Sequence, residues 1–237
     1  MSDEFNMDAI YLGTSDKTGD VVLPLHEASN IFICGDETSG SKRTLMGILN
    51  VLASVGHNIY TPKKPSVFND ELEEYVIQAF QEMSERINIF SKGGYGGIED
   101  YNLKNPHNKM NRVFLVLDNV VNVGDKYDIT STKGFSSQFH EVLDRLLTLA
   151  GSSGFHIIFH SHDPIVKTIG VGREHFPVQL IHRNSPYKTH ALPLHDGTKH
   201  SFEPNGVEFV VGFYGGPLEG VYPTWVCRAS EESLAGL

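Results

Sequence analysis

Cysteine is nearly absent. Cys34 and Cys227 are the only two in 237 residues. Two cysteines make no disulfide framework, and a reducing compartment is the simpler setting. Positive charge is also scarce: Lys and Arg total 19 against 29 Asp and Glu, a formal net charge of -10. A general nucleic-acid coat needs clustered cations to neutralise phosphates, so this balance weighs against strong direct binding to DNA. No apolar run approaches the roughly 18 residues that cross a bilayer. The opening "MSDEFNMDAIYLG" has no basic stretch followed by an apolar one, so no export signal is expected and a cytoplasmic location is. Hydrophobic residues make up 40% of the chain, enough for a sizeable core, and disorder throughout is excluded.

The segments that are present alternate. Residues 8–13 and 21–25 suit a hairpin turning at "SDKTGD". "NIFIC" (30–34), "RVFLVLDN" (112–119), "FHIIFH" (155–160) and "PVQLIHR" (177–183) are continuous apolar runs bounded by turn residues, the pattern of buried strands. Between them lie helical spacings. Leu45, Ile48, Leu49 and Leu52 fall on one face between Lys42 and Val55. Leu72, Val76, Ala79, Phe80, Met83, Ile87 and Phe90 follow Asn69, a suitable N-cap, and four acids in the first turn. Phe139, Val142, Leu143 and Leu146 lie on a helix from Ser136 or Ser137 to about Ala150. "GHNIYTPKKPS" reads as a loop, and "VEFVVGFYGG" with "GVYPTWVCR" as a hairpin at the sheet edge. Strands alternating with helices predict an α/β fold with a mainly parallel central sheet and helices on both faces. One domain over 1–237 is expected: a hairpin lead-in at 1–29, a core at 30–183, and C-terminal strands at 184–237.

The chemistry concentrates in "GDETSGSKRTL", directly after "NIFIC". A phosphate-binding loop reads G-x-x-x-x-G-K-[ST], placed between a strand and a helix. Gly35 and Gly40 have the required separation, but the letters after them are exchanged. Aligned on the glycines, Ser41 takes the lysine slot and Lys42 the Ser/Thr slot. Aligned on Lys42, Asp36 and Ser41 take the glycine slots and Arg43 the metal-ligand slot. Gly35, Gly40, Ser41, Lys42, Arg43 and Thr44 are therefore the candidate phosphate contacts. Asp36 and Glu37 oppose a polyanion. Asp118, an acid at the tip of an apolar strand, stands where a magnesium-holding aspartate belongs, with Thr44 as its candidate co-ligand. An active hydrolase usually has glutamate next; here Asn119 orients a water but takes no proton from it. His156, His160 and His162 alternate along one strand and converge poorly on a single ion, so no zinc is expected.

In combination these stretches resemble the motor domain of the FtsK/SpoIIIE DNA translocases, in the FtsK–HerA superfamily. Glu82, Met83, Arg86, Phe90, Gly94, Ile98, Glu99, Tyr101 and Asn102 match the family's helix before the second nucleotide motif. Ala150, Gly154, His156, Ile158 and Pro164 match the stretch after it, and "HFPVQLIHR" (175–183) echoes a later strand. The similarity covers almost the whole chain. It implies a RecA-like, three-layer P-loop NTPase fold, ATP with Mg2+, a homo-oligomer that is a hexameric ring in the family, and double-stranded DNA as partner. The departures matter equally. The family's Thr-Gln-Arg-Pro is Ser161-His162-Asp163-Pro164 here, which puts His162 in the γ-phosphate-sensing slot. The chain after the first helix is too short for the family's next strand and loop together, and no DNA-reading winged helix is expected. Arg86, Arg112, Arg145 and Arg173 are candidate trans-acting arginines, each more simply a solvated surface residue. The expectation is a degenerate ATPase in a DNA-transfer, packaging or secretion assembly. An active translocase and a nucleotide-free scaffold are the alternatives.

Overall fold

The computed structural model describes residues 9–15, 19–26, 29–35, 38–61, 70–118, 137–162, 175–182, 208–213 and 225–228. Asn69, Asn119, Asp163, Pro164 and Arg173 lie outside these ranges, as do Asp36 and Glu37. The elements run β1 (Ala9–Ser15), β2 (Gly19–Pro24), β3 (Asn30–Cys34), α1 (Ser41–Ser54), β4 (Asn58–Tyr60), α2 (Asp70–Gly93), α3 (Ile98–Lys104), β5 (Val113–Asp118), α4 (Ser137–Ser153), β6 (Phe155–Ser161), β7 (Val178–His182), β8 (Glu208–Phe213) and β9 (Trp225–Arg228). All nine strands form one sheet in the order β2-β1-β9-β8-β7-β3-β6-β5-β4. The five strands from β7 to β4 are mutually parallel. The four beyond β7 are antiparallel.

The continuous apolar runs have the physical cause expected of them. Every residue of β3 and β6 is buried, because helices cover both faces of the parallel strands. On one face Phe32, Leu115, Leu117, Phe155, Ile157 and Phe159 meet α2 and α4, through residues such as Met83, Phe139, Leu143 and Leu146. Phe32 stacks on Phe159 at 5.7 Å, and Phe176 tilts against both. Such aromatic pairs contribute about 0.5–1.5 kcal/mol each beyond burial. On the other face Ile31, Ile33, Phe114, Val116 and Ile158 meet Leu45, Ile48, Leu49 and Leu52 of α1. The first hairpin closes that side with Ile10, Leu12, Val21 and Leu23.

Two expectations need correction, and one helix was not foreseen. The stretch read as a loop after α1 contains β4, a three-residue parallel strand on the sheet edge beside β5. Its residues are exposed to half-buried, so it leaves no apolar run to detect. The C-terminal hairpin is not at the edge. β9 lies between β8 and β1, with Thr14 opposite Arg228, and β2 takes the rim. A short helix, α3, follows α2, although only Ile98 and Tyr101 of it are buried.

The residues that carried the family resemblance around α2 and α3 form a scaffold at the amino end of the parallel strands. Arg86 donates to the Asn111 carbonyl at 2.7 Å and to Glu82 at 2.8 Å, with its guanidinium over the Phe155 ring. Arg112 donates to Glu99 at 2.7 Å and to Nε2 of His156 at 3.2 Å. His156 in turn stacks on Phe114. Asn102 exchanges two bonds with the backbone of Met110. Arg86 and Arg112 are thus buried tethers and not solvated surface residues. Arg145 is exposed and pairs with Glu141 one turn away.

Candidate functional site

The site forms at the carboxyl ends of the central strands, where α/β sheets hold their ligands. Three neighbouring elements converge there. Asp118 ends β5 and lies opposite His160 of β6. His160 lies in turn opposite Ile33 of β3, one residue before the chain leaves the sheet toward Gly35. The next helix, α1, has Ser41 as its first residue.

Two glycines shape that loop. Gly40 caps α1 at φ 82° and ψ 4°, the left-handed region that side chains other than hydrogen rarely adopt. Gly35 is hemmed in: a Cβ there would stand 2.2 Å from Ser39 Oγ and 2.7 Å from the His182 Cβ. The N-cap residue Gly40 has no side chain to cap the first turn of α1, and no acid lies within that turn. Lys42 and Arg43 are exposed at this end. The helix therefore presents its positive end and two cations together.

The side chains beneath are tied into one chain of polar contacts. His160, fully buried, sits 2.7 Å from Asp118 through Nδ1 and 3.0 Å from Ser41 Oγ through Nε2. Asp118 only accepts when ionised, so Nδ1 carries a proton and donates it. The Ser41 hydroxyl donates to the Gly35 carbonyl at 3.1 Å, and its backbone N–H reaches Ser39 Oγ at 3.3 Å. The Lys42 ammonium bonds the other oxygen of Asp118. Burial of Asp118 favours its neutral form, but the His160 hydrogen bond and the Lys42 bond and charge outweigh it. The carboxyl is held below its ordinary value and stays ionised at neutral pH.

Each expected site residue among the described residues now has a place. Gly35, Gly40, Ser41, Lys42 and Asp118 come together. Ser41 is buried and turned toward His160 and not toward the space above the loop. Thr44 is buried one turn into α1, its hydroxyl without a hydrogen-bond partner among the described residues. Arg43 is exposed on the same turn. His162 is half-buried, its ring edge-on to His160 at 5.2 Å. Asn119 lies outside the described residues. The sequence did not single out His160 as the partner of Asp118, nor His182, which lies against Gly35 and contacts the Ser39 carbonyl at 3.3 Å through Nδ1.

A magnesium ion does not fit this arrangement. Both Asp118 oxygens already face a donor, one of them a cation.

Solved structures share this architecture. The conjugation coupling protein TcpA of pCW3, in its monomer form with ATPγS, aligns over 95% of this chain and 66% of its own, with a TM-score of 0.71 and 18% identity. EssC ATPases 2 and 3 from Geobacillus thermodenitrificans align over 97% and 47%, at 0.66 and 16%. The cytoplasmic domain of the type VII secretion ATPase EccC from Thermomonospora curvata aligns over 95% and 29%, at 0.68 and 17%. The fold is that of these ATPases. It is the RecA-like P-loop fold that the FtsK/SpoIIIE resemblance implied. The chain spans less than two thirds of the length of each of the three. No protein-family model and no curated protein matches the sequence. Among the described residues no helix is long and apolar enough to cross a membrane.

Proposed function

We propose that this chain is an FtsK-like nucleotide-binding domain, weak or inactive in hydrolysis, that works in a DNA-transfer or secretion assembly. The observation that carries the proposal is the loop from Gly35 to Ser41. Among its described residues, Gly35 and Ser39 to Ser41 join a buried parallel strand to the cation-bearing end of α1, where Lys42 bonds an ionised Asp118. TcpA, with its bound ATPγS, and the secretion ATPases EssC and EccC support both the ligand class and the kind of assembly.

Weak hydrolysis follows from the same contacts. Phosphoryl transfer to water needs a metal-held γ-phosphate, an oriented water and a group that stabilises the developing charge. Asp118 is engaged on both oxygens, and Ser41 replaces the lysine of the motif with a buried hydroxyl. Arg86 and Arg112 are committed to internal partners at the far end of the strands, so neither serves the chain's own site. A ring of copies, as in the FtsK family, agrees with a motor-derived fold, while the -10 charge weighs against tight direct binding of DNA.

Calorimetry with ATP, beside thermal shift, tests this reading. The chain is expected to bind, and Lys42→Ala to lose roughly tenfold or more in affinity, the equivalent of about 1.4 kcal/mol. Double-stranded DNA is expected to leave phosphate release near background. A well-folded sample that ignores millimolar ATP would remove the nucleotide-binding reading. DNA-stimulated turnover would replace it with an active translocase.

A further inference from the structure

We propose that the Lys42 ammonium stands in for the magnesium ion of this loop, so that the chain takes its nucleotide metal-free. The inference rests on the nucleotide-binding reading above and specifies the form of the ligand.

The position of the helix start carries the argument. Gly40 is the residue before α1, which places Ser41 first and Lys42 second in the helix. That is the glycine-anchored alignment, with Lys42 in the Ser/Thr slot. In a working P-loop the hydroxyl of that slot and the aspartate at the second strand tip hold magnesium between them. Here the slot residue reaches the aspartate itself: Lys42 Nζ bonds Asp118 Oδ2 directly. A side-chain cation thus occupies the position between slot and carboxylate that the ion takes elsewhere.

Two further features close the position to metal. The second oxygen of Asp118 is held by Nδ1 of the fully buried His160, at 2.7 Å, so neither oxygen lacks a donor. Magnesium demands near-octahedral oxygen ligands at about 2.0–2.1 Å and dehydrates reluctantly. Lys42 brings no oxygen, and the buried hydroxyl of Ser41 spends its proton on the Gly35 carbonyl and faces the His160 ring. To enter, magnesium would have to displace an ammonium from its ion pair while placing a second cation beside it.

The charge balance remains suitable for phosphate. Lys42 keeps about half its side-chain surface open to solvent, with 51% exposed, so its other N–H groups can meet a phosphate oxygen while one stays on Asp118. Arg43 and the open end of α1 add to the field at the same point. The free nucleotide carries two more negative charges than its magnesium complex. It gains more from these fixed cations than the complex does.

The full chain is titrated calorimetrically with ATP, once in excess EDTA and once in excess magnesium. The same pair of titrations is run on Lys42→Thr, which restores a hydroxyl to the slot. For the native chain, binding in EDTA is expected to equal or exceed binding in magnesium. Lys42→Thr is expected to invert the order, losing roughly tenfold or more in affinity when EDTA replaces magnesium. Native binding that requires magnesium overturns the inference and leaves the nucleotide-binding reading standing. Absence of binding in both buffers overturns the two together. Because Lys42 is half-exposed, its replacement is not expected to disturb folding, and a melting curve checks this.

Discussion

Between about pH 7.5 and pH 5 the protein loses stability that His182→Asn retains. His182 is almost wholly buried beneath the glycine loop, and burial drives its pKa down from 6.5 to about 3. The Ser39 carbonyl opposes the shift, and a charge on His160 adds to it. The sign follows from proton counting. The unfolded chain binds a proton at His182 once the pH falls below 6.5, whereas the folded chain refuses it until about 3. The stabilisation is therefore complete above 6.5 and is lost progressively down to about 3, at about 1.4 kcal/mol per pH unit. At pH 5 the loss is roughly 2 kcal/mol, and by pH 4 it exceeds about 3 kcal/mol. Asp118 does not obscure the test. Its depressed carboxyl withdraws stability only as the pH falls through the ordinary carboxylate value of 3.8. Asparagine keeps a donor for the Ser39 carbonyl but has no proton to gain. Urea unfolding of both proteins across this range measures the difference. Parallel pH profiles would show that His182 does not stay neutral in the folded chain.

The second large effect falls on Asn30, at the first position of β3. Its side chain is buried and satisfies backbone groups of three other segments. The amide donates to the carbonyl of Leu147 in α4 at 2.9 Å and to that of His175 before β7 at 2.8 Å. Its oxygen accepts from the Ile157 N–H of β6 at 3.3 Å. Two donors and one acceptor are needed at once, which only a primary amide of this length supplies. Asn30→Leu leaves these groups without their partner and is expected to cost about 2–4 kcal/mol. Asn30→Asp, nearly identical in shape, is expected to cost more, about 3–5 kcal/mol at neutral pH, because it sets a buried carboxylate against two carbonyl oxygens. Chemical denaturation of the two variants reads the order. If aspartate were the milder change, the bonds to Leu147 and His175 would not be the ones that hold α4 and β7 to β3.

Much of the architecture is legible in the sequence, for one reason. Strands buried on both faces need unbroken apolar runs, and β3, β5, β6 and β7 are such runs. The helices α1, α2 and α4 each bury one face and so show their spacing. What stayed illegible buries little or depends on order in space. β4 has three residues at the rim, and α3 is a seven-residue helix with two buried side chains. The inward place of β8 and β9 is a matter of strand order, which no local pattern encodes. At the site, Lys42 and Asp118 are legible from their positions after a glycine pair and at a strand tip. Which of three alternating histidines meets Asp118 is not. That depends on the register of β5 against β6, where Asp118 falls opposite His160.

The pairing of Thr14 with Arg228 has an architectural consequence. It places the first hairpin and β9, the last strand among the described residues, side by side in one sheet. Segments from the two extremes of the described sequence thus depend on each other for their pairing, at the side of the sheet away from Asp118.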